Sequence, residues 1–141
     1  MADIKTILVP VDFSQNTDKL VEYAAGFAEK LGANLSFINV VDNAPGFGFE
    51  ALHKFEDDIK KDMEAKIAAL ADQYKELCGS SENAVVIGDT VDSIVAAAEN
   101  CEMVIIATHG YKGLDKILLG SVAERVVKKA PCPVIVFNPY K

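Results

Sequence analysis

The 141 residues predict an α/β fold: a five-stranded, mostly parallel sheet in the order 3-2-1-4-5 with helices on both faces. Two observations carry the class, and the strand order is inferred. Short apolar runs alternate along the whole chain with segments whose apolar residues recur every three or four positions. The runs are continuous rather than alternating in polarity, as strands buried on both faces are. Strands separated by helices join through right-handed crossovers, which makes their sheet parallel.

The elements follow in order. KTILVPVD (5–12) is a buried strand that ends at Pro10. NTDKLVEYAAGFAEKLG (16–32) is a helix with apolar residues at 20, 23, 24, 27, 28 and 31, opened by Asn16 or Thr17 and closed by Gly32. NLSFINVVD (34–42) is the second strand, and NAPGFGF (43–49) a loop by its proline and glycines. Residues 50–78 read as one long helix, with Leu52, Phe55, Ile59, Met63, Ile67, Leu70, Tyr74 and Leu77 forming an apolar stripe. AVVIG (84–88) is the third strand. DTVDSIVAAAEN (89–100) is a helix capped by Asp89 or Thr90. CEMVIIAT (101–108) is the fourth strand, SVAERVVKKA (121–130) a helix, and PCPVIVFN (131–138) the fifth strand. No linker, repeat or low-complexity segment interrupts them, so the chain is expected to form a single domain over residues 1–141.

In a doubly wound sheet the ligand crevice lies beyond the carboxyl ends of the strands, where the strand order reverses. For the order 3-2-1-4-5 that point falls between strands 1 and 4. The segments that follow those strands are PVDFS (10–14) and ATHGYKG (107–113). The second continues into a phosphate-binding pattern. Glycines at 110 and 120 let backbone N–H groups come close to an anion. The helix that starts near Ser121 adds free N–H donors and a partial positive charge, while Lys112 and Lys116 lend charge from the loop. SVAE also reads as a capping box, with Ser121 as N-cap and Glu124 three residues on, which explains a serine there without any ligand.

Composition excludes several classes. The net charge is −7, from 14 basic and 21 acidic residues, which argues against nucleic acid as a partner. The three cysteines form no CxxC pair and read as small apolar fillers of a reducing compartment. No apolar run approaches the roughly 20 residues that span a bilayer, so no membrane partner and a cytoplasmic location are expected. No Gly-Lys-Ser/Thr occurs, which removes a P-loop. GFGFEA (46–51) matches a loose dinucleotide fingerprint but follows a proline-containing loop and lacks the later acidic residue. Asp12 admits a receiver-domain reading, but Val11 and Phe13 beside it leave no acidic pocket. His109 has no apparent partner for base catalysis. Phosphate-holding groups without a positioned nucleophile or base point to a binder rather than an enzyme, with weak ATP hydrolysis as the most expected of it. The apolar VIVF near the C-terminus reads as an edge strand that pairs with a second copy.

VDFS after the first strand, HG after the fourth, nine residues, then GS, and finally APCPVIV resemble the universal stress protein family over residues 7–137. The resemblance implies a Rossmann-like fold of the adenine nucleotide alpha hydrolase type. It implies a stress-response regulatory protein that binds ATP, or AMP or ADP, with Mg or Mn beside the phosphates, and that forms a homodimer through the last strand. Carried onto this chain, the adenine and ribose contacts fall on Pro10, Val11, Asp12, Val40, Ile106 and Ala107, and the phosphate contacts on Gly110, Gly120, Ser121 and Val122. The family's nucleotide-binding pattern begins with a glycine where this chain has Ala107. In an extended conformation that alanine costs little, whereas at positive φ it costs on the order of 1 kcal/mol. Weakened or unchanged binding is the expectation. The alternative is a dimeric interaction module of the same family that does not bind nucleotide.

Overall fold

The structure is a computed structural model, and it describes residues 3–42, 49–79, 82–108 and 120–140. The elements are β1 (Thr6–Pro10), α1 (Thr17–Leu31), β2 (Asn34–Asp42), α2 (Phe49–Gln73), α3 (Lys75–Cys78), β3 (Ala84–Gly88), α4 (Thr90–Ala98), β4 (Met103–Ala107), α5 (Ser121–Lys129) and β5 (Val134–Phe137). They build one five-stranded sheet in the order β3-β2-β1-β4-β5 with every pairing parallel. The predicted order holds, and the reversal of direction falls between β1 and β4.

Side chains of successive strand residues point to opposite faces, and this divides the core in two. Ile7, Val9, Leu35, Phe37 and Ile105 face one side, where α1, α2 and α3 cover them with Leu20, Ala24, Ala28, Ile67 and Cys78. Leu8, Ile38, Val104 and Ile106 face the other, against Val91, Ile94 and Ala98 of α4 and Ala123 and Val126 of α5. Phe37, Ile7 and Val104 are wholly excluded from solvent. Each such side chain contributes roughly 1.5–3 kcal/mol through burial.

Four expectations are adjusted. In α1 the buried stripe is Thr17, Leu20, Val21, Ala24, Ala25 and Ala28, while Tyr23 and Leu31 are exposed. The alanine face lets the helix lie close on the sheet, and Tyr23 instead flanks it and stacks on Phe137 of the edge strand, with ring centroids 4.9 Å apart. The long helix breaks at Tyr74, whose φ of −114° and ψ of 30° are not helical. There the Tyr74 ring meets Phe37 edge-on at 6.4 Å, and the short α3 turns Cys78 into the core. Within α2, Ile67 and Leu70 are buried but Phe55 is exposed. A helix of 25 residues is about 38 Å long, whereas a five-residue strand such as β1 spans about 17 Å, so the first turns of α2 outrun the sheet. Finally, pairing of β5 begins at Val134 rather than at Pro131. Prolines 131 and 133 have no N–H to donate to a ladder, although the Pro133 carbonyl still accepts from Val104 N at 3.0 Å.

Candidate functional site

Each parallel strand ends at the same rim of the sheet, and α1, α4 and α5 all begin there. Their N-terminal N–H groups and dipoles therefore gather at one edge of an otherwise acidic protein. A cleft of about 100 Å³ opens at that rim across the β1–β4 reversal.

The β1 side is set by local hydrogen bonds. Val11 N donates to Ile38 O at 2.8 Å and keeps the chain beside β2 past the end of β1. Asp12 Oδ1 then accepts from Ser14 N at 2.9 Å and from Thr17 Oγ1 at 3.5 Å. The first contact is an Asx turn, and it bends the chain from β1 into α1. Phe13, between these residues, has a φ of 57°, and among the described residues it is the only non-glycine with positive φ. Its ring is partly buried and lies 5.7 Å from Lys66 Nζ of α2. Packing of this kind is what holds a strained residue in place.

The β4 side is set by Thr108, which is buried. Its N–H donates to Phe137 O at 2.9 Å, and its Oγ1 accepts from Gly120 N at 3.1 Å. These bonds hold together the two ends of the intervening segment and fix the start of α5 beside β4. The N-cap of α5 is Gly120, with φ −59° and ψ 149°. This corrects the capping-box reading. Ser121 is already the first helical residue, and Glu124 instead forms an exposed i,i+4 pair with Lys128 at 3.1 Å. A glycine cap supplies no side-chain acceptor, so no cap side chain of α5 competes with an anion for its first-turn N–H groups. The helix α4 differs: Asp89 is its N-cap and takes the N–H of Asp92 at 2.9 Å. Of the two caps left open by the sequence, Asp89 serves. In α1 the cap is Asn16, whose side chain makes no capping bond and donates to Tyr140 Oη at 3.0 Å.

Of the residues named from sequence, Pro10, Val11, Asp12, Val40, Ile106, Ala107 and Val122 line the cleft together. Gly120 and Ser121 precede Val122 at its rim without lining it. Gly110, with His109, Lys112, Gly113 and Lys116, lies outside the described residues, as does the 43–48 part of the glycine-rich loop. Ala107 is the last residue of β4 and has no positive φ. Its methyl packs with the cluster on the α1 side, whereas Ile106 packs with the cluster on the α4 side. The backbone strain that an alanine risked here is absent.

Besides Asp12, the polar residues that line the cleft are Ser14, Asn16, Thr17, Asn39, Thr90 and Thr108, none of which sequence reasoning assigned as a ligand contact. Thr90 Oγ1 donates to Asp42 Oδ1 at 2.5 Å and joins α4 to the end of β2. Asn39 had a legible signal, an amide within the apolar run LSFINVV, where burial demands a partner. Among the described residues no three His, Cys, Asp or Glu side chains converge on a metal position. No helix among them is long and apolar enough to cross a membrane.

The universal stress protein family model matches residues 3–138. A universal stress protein of Methanocaldococcus jannaschii is 31% identical over 142 positions, covering 97% of this chain and 84% of the relative. Among solved structures, universal stress protein UspA from Lactobacillus plantarum superposes with a TM-score of 0.81 at 22% identity, covering 97% of this chain and 99% of that one. The universal stress protein from Archaeoglobus fulgidus in complex with dAMP superposes with a TM-score of 0.61 at 19% identity, covering 96% and 98%. These two structures share the fold described above.

Proposed function

Since the chain belongs to the universal stress protein family, we propose that it is a regulatory protein that binds an adenine nucleotide, ATP in the first place, and acts as a homodimer. The observation that carries the reading is the pairing of a largely apolar cleft with the glycine-capped start of α5 at the sheet's reversal point. A base fits an apolar slot with a few polar edges. Pro10, Val11, Asp12 and Val40 supply that slot, and Ile106 and Ala107 line the path from it toward α5. Phosphates then meet Gly120 and the N–H groups of Ser121 and Val122, where the helix dipole favours negative charge. Gly120 has a φ of −59°, which any residue adopts, so conformation does not require a glycine. Absence of a side chain next to a phosphate does. A structure of the same fold is a universal stress protein in complex with dAMP, which supports an adenine nucleotide as the class of ligand.

A Mg or Mn ion beside the phosphates would take phosphate oxygens and water as its main ligands, as hard cations do. The dimer uses β5, the outer strand of the sheet, where Val136 is exposed, with Val127 of α5 exposed nearby in the chain. An apolar edge is stabilised by pairing with a second copy. The reading without nucleotide rested on Ala107, and the extended geometry there removes its strain argument.

The test is direct. The purified protein is denatured and the supernatant analysed for adenine nucleotide. The nucleotide-free protein is then titrated with ATP by calorimetry, with and without magnesium. Binding with a dissociation constant below about 1 mM, some −4 kcal/mol, is expected. No heat at millimolar ATP refutes the proposal. Gly120→Val should abolish binding while leaving the sedimentation coefficient of the dimer unchanged; unaltered affinity would displace the phosphate site from α5.

A further inference from the structure

Among the described residues one buried side-chain polar atom has no hydrogen-bond partner, and it belongs to the cleft: Oδ1 of Asn39. The residue is 5% exposed. Its Nδ2 donates to the Val11 carbonyl at 2.8 Å. A carbonyl oxygen can only accept, so this bond settles which end of the amide is which, and Oδ1 is left as an acceptor in search of a donor. Native proteins seldom leave such an atom unpaired, because its desolvation is uncompensated.

Position in the sheet says what the donor is. The start of α5 stands on the β4 side of the cleft, Asn39 stands on β2, and β1 lies between them. Adjacent strands are about 4.8 Å apart, so some 10 Å separate the two sides. A nucleotide with its phosphates at α5 therefore extends its base toward β2. Ile38 and Val40, which flank Asn39 in β2, turn their side chains to the opposite face, against the α4 side. The torsion that turns an asparagine amide is soft, so Oδ1 can tilt toward an incoming group while Nδ2 keeps Val11.

We infer that Asn39 is the specificity-determining residue of the cleft: its Oδ1 accepts a hydrogen bond from the amino group at position 6 of a purine, and so selects a 6-amino purine over one with a carbonyl there. This inference rests on the nucleotide reading of the preceding subsection. Adenine carries a donor at that position and guanine an acceptor. A 6-carbonyl would face Oδ1 acceptor to acceptor and leave it buried and unpaired, the arrangement by which a polar site rejects an analogue. The Nδ2 bond to Val11 meanwhile holds the β1 end of the cleft in place.

The experiment measures dissociation constants for ATP, inosine triphosphate and the triphosphate of unsubstituted purine riboside. The full chain is used, as wild type and as Asn39→Leu, with Asn39→Ser as the substitute if circular dichroism shows that the leucine variant does not fold. The wild type should favour ATP over both analogues by roughly tenfold or more. The variant should lose that preference, with its constants for the three ligands falling within about threefold of one another. Equal affinities in the wild type would overturn the inference while leaving nucleotide binding intact. A preference that survives in the variant would also overturn it, and would reduce Asn39 to a support for Val11. A wild type that binds none of the three refutes the nucleotide reading itself, and the inference falls with it.

Discussion

Replacing Ala107 by glycine separates two views of this chain's departure from its family's glycine pattern. In the structure Ala107 ends β4 in extended geometry, and its half-buried methyl packs with the core cluster on the α1 side. Losing about half of a buried methyl removes roughly 0.4 kcal/mol. A glycine within a strand adds roughly 0.5–1 kcal/mol of backbone entropy. Ala107→Gly should therefore destabilise the protein by about 1 kcal/mol, a fall in Tm of about 3–5 °C for a domain of this size. ATP affinity should change by less than about threefold, because the methyl serves the core. Scanning calorimetry gives the first quantity and titration of ATP the second. A tenfold gain in ATP affinity at unchanged Tm would refute the reasoning, since it would show the methyl crowding the ligand rather than filling the core.

Three further outcomes follow from local geometry. Asp89→Ala removes the side chain that caps α4 and should lower stability by about 1 kcal/mol, read from the urea midpoint; an unmoved midpoint means the cap is idle. Glu102→Ala deprives Lys5 N and Thr6 N of a shared acceptor at 2.8 and 2.9 Å. It should cost about 1–2 kcal/mol and speed hydrogen exchange at those two amides, and unchanged exchange would show that water replaces the carboxylate without loss. Burial, then Glu102 and Cys132, push the Cys101 thiol up to about 11. Iodoacetamide at pH 8 should thus modify Cys101 in the folded chain more than about tenfold slower than in the unfolded chain. With the folded value raised above the unfolded 9.0, stability that is present below pH 9 is lost as pH rises toward 11. Alkylation at the unfolded rate would contradict this.

The central strands were legible because burial on both faces leaves an unbroken apolar run, as in ILV of β1 and MVII of β4. Helix ends were harder. Ser121 and Glu124 have the spacing of a capping box, yet the bond from Gly120 N to Thr108 Oγ1 starts the helix one residue earlier in the cap scheme. The competitor lies twelve residues away, outside any local pattern. The same holds for Tyr74. Its apolar spacing continues the long helix, and the break shows only where its ring meets Phe37 of β2.

For the cleft the division is similar. Strand-helix alternation places a ligand crevice at the carboxyl ends of the strands, the order 3-2-1-4-5 puts it after strands 1 and 4, and the glycine pattern marks its proposed phosphate end. Which polar groups face that crevice is a matter of register. Asn39 reaches Val11 because β1 and β2 pair with Pro10 opposite Ile38, and no spacing in one strand encodes its offset from another. Whether Ala107 is strained likewise depended on a backbone angle. Sequence by itself determined the layers, the parallel pairing and the end of the sheet where a ligand belongs, because apolar periodicity and crossover handedness act locally and everywhere. Tertiary structure alone decided the caps, the orphaned Asn39 oxygen and the fit of Ala107, because each depends on groups that are distant in the chain and meet only in the folded state.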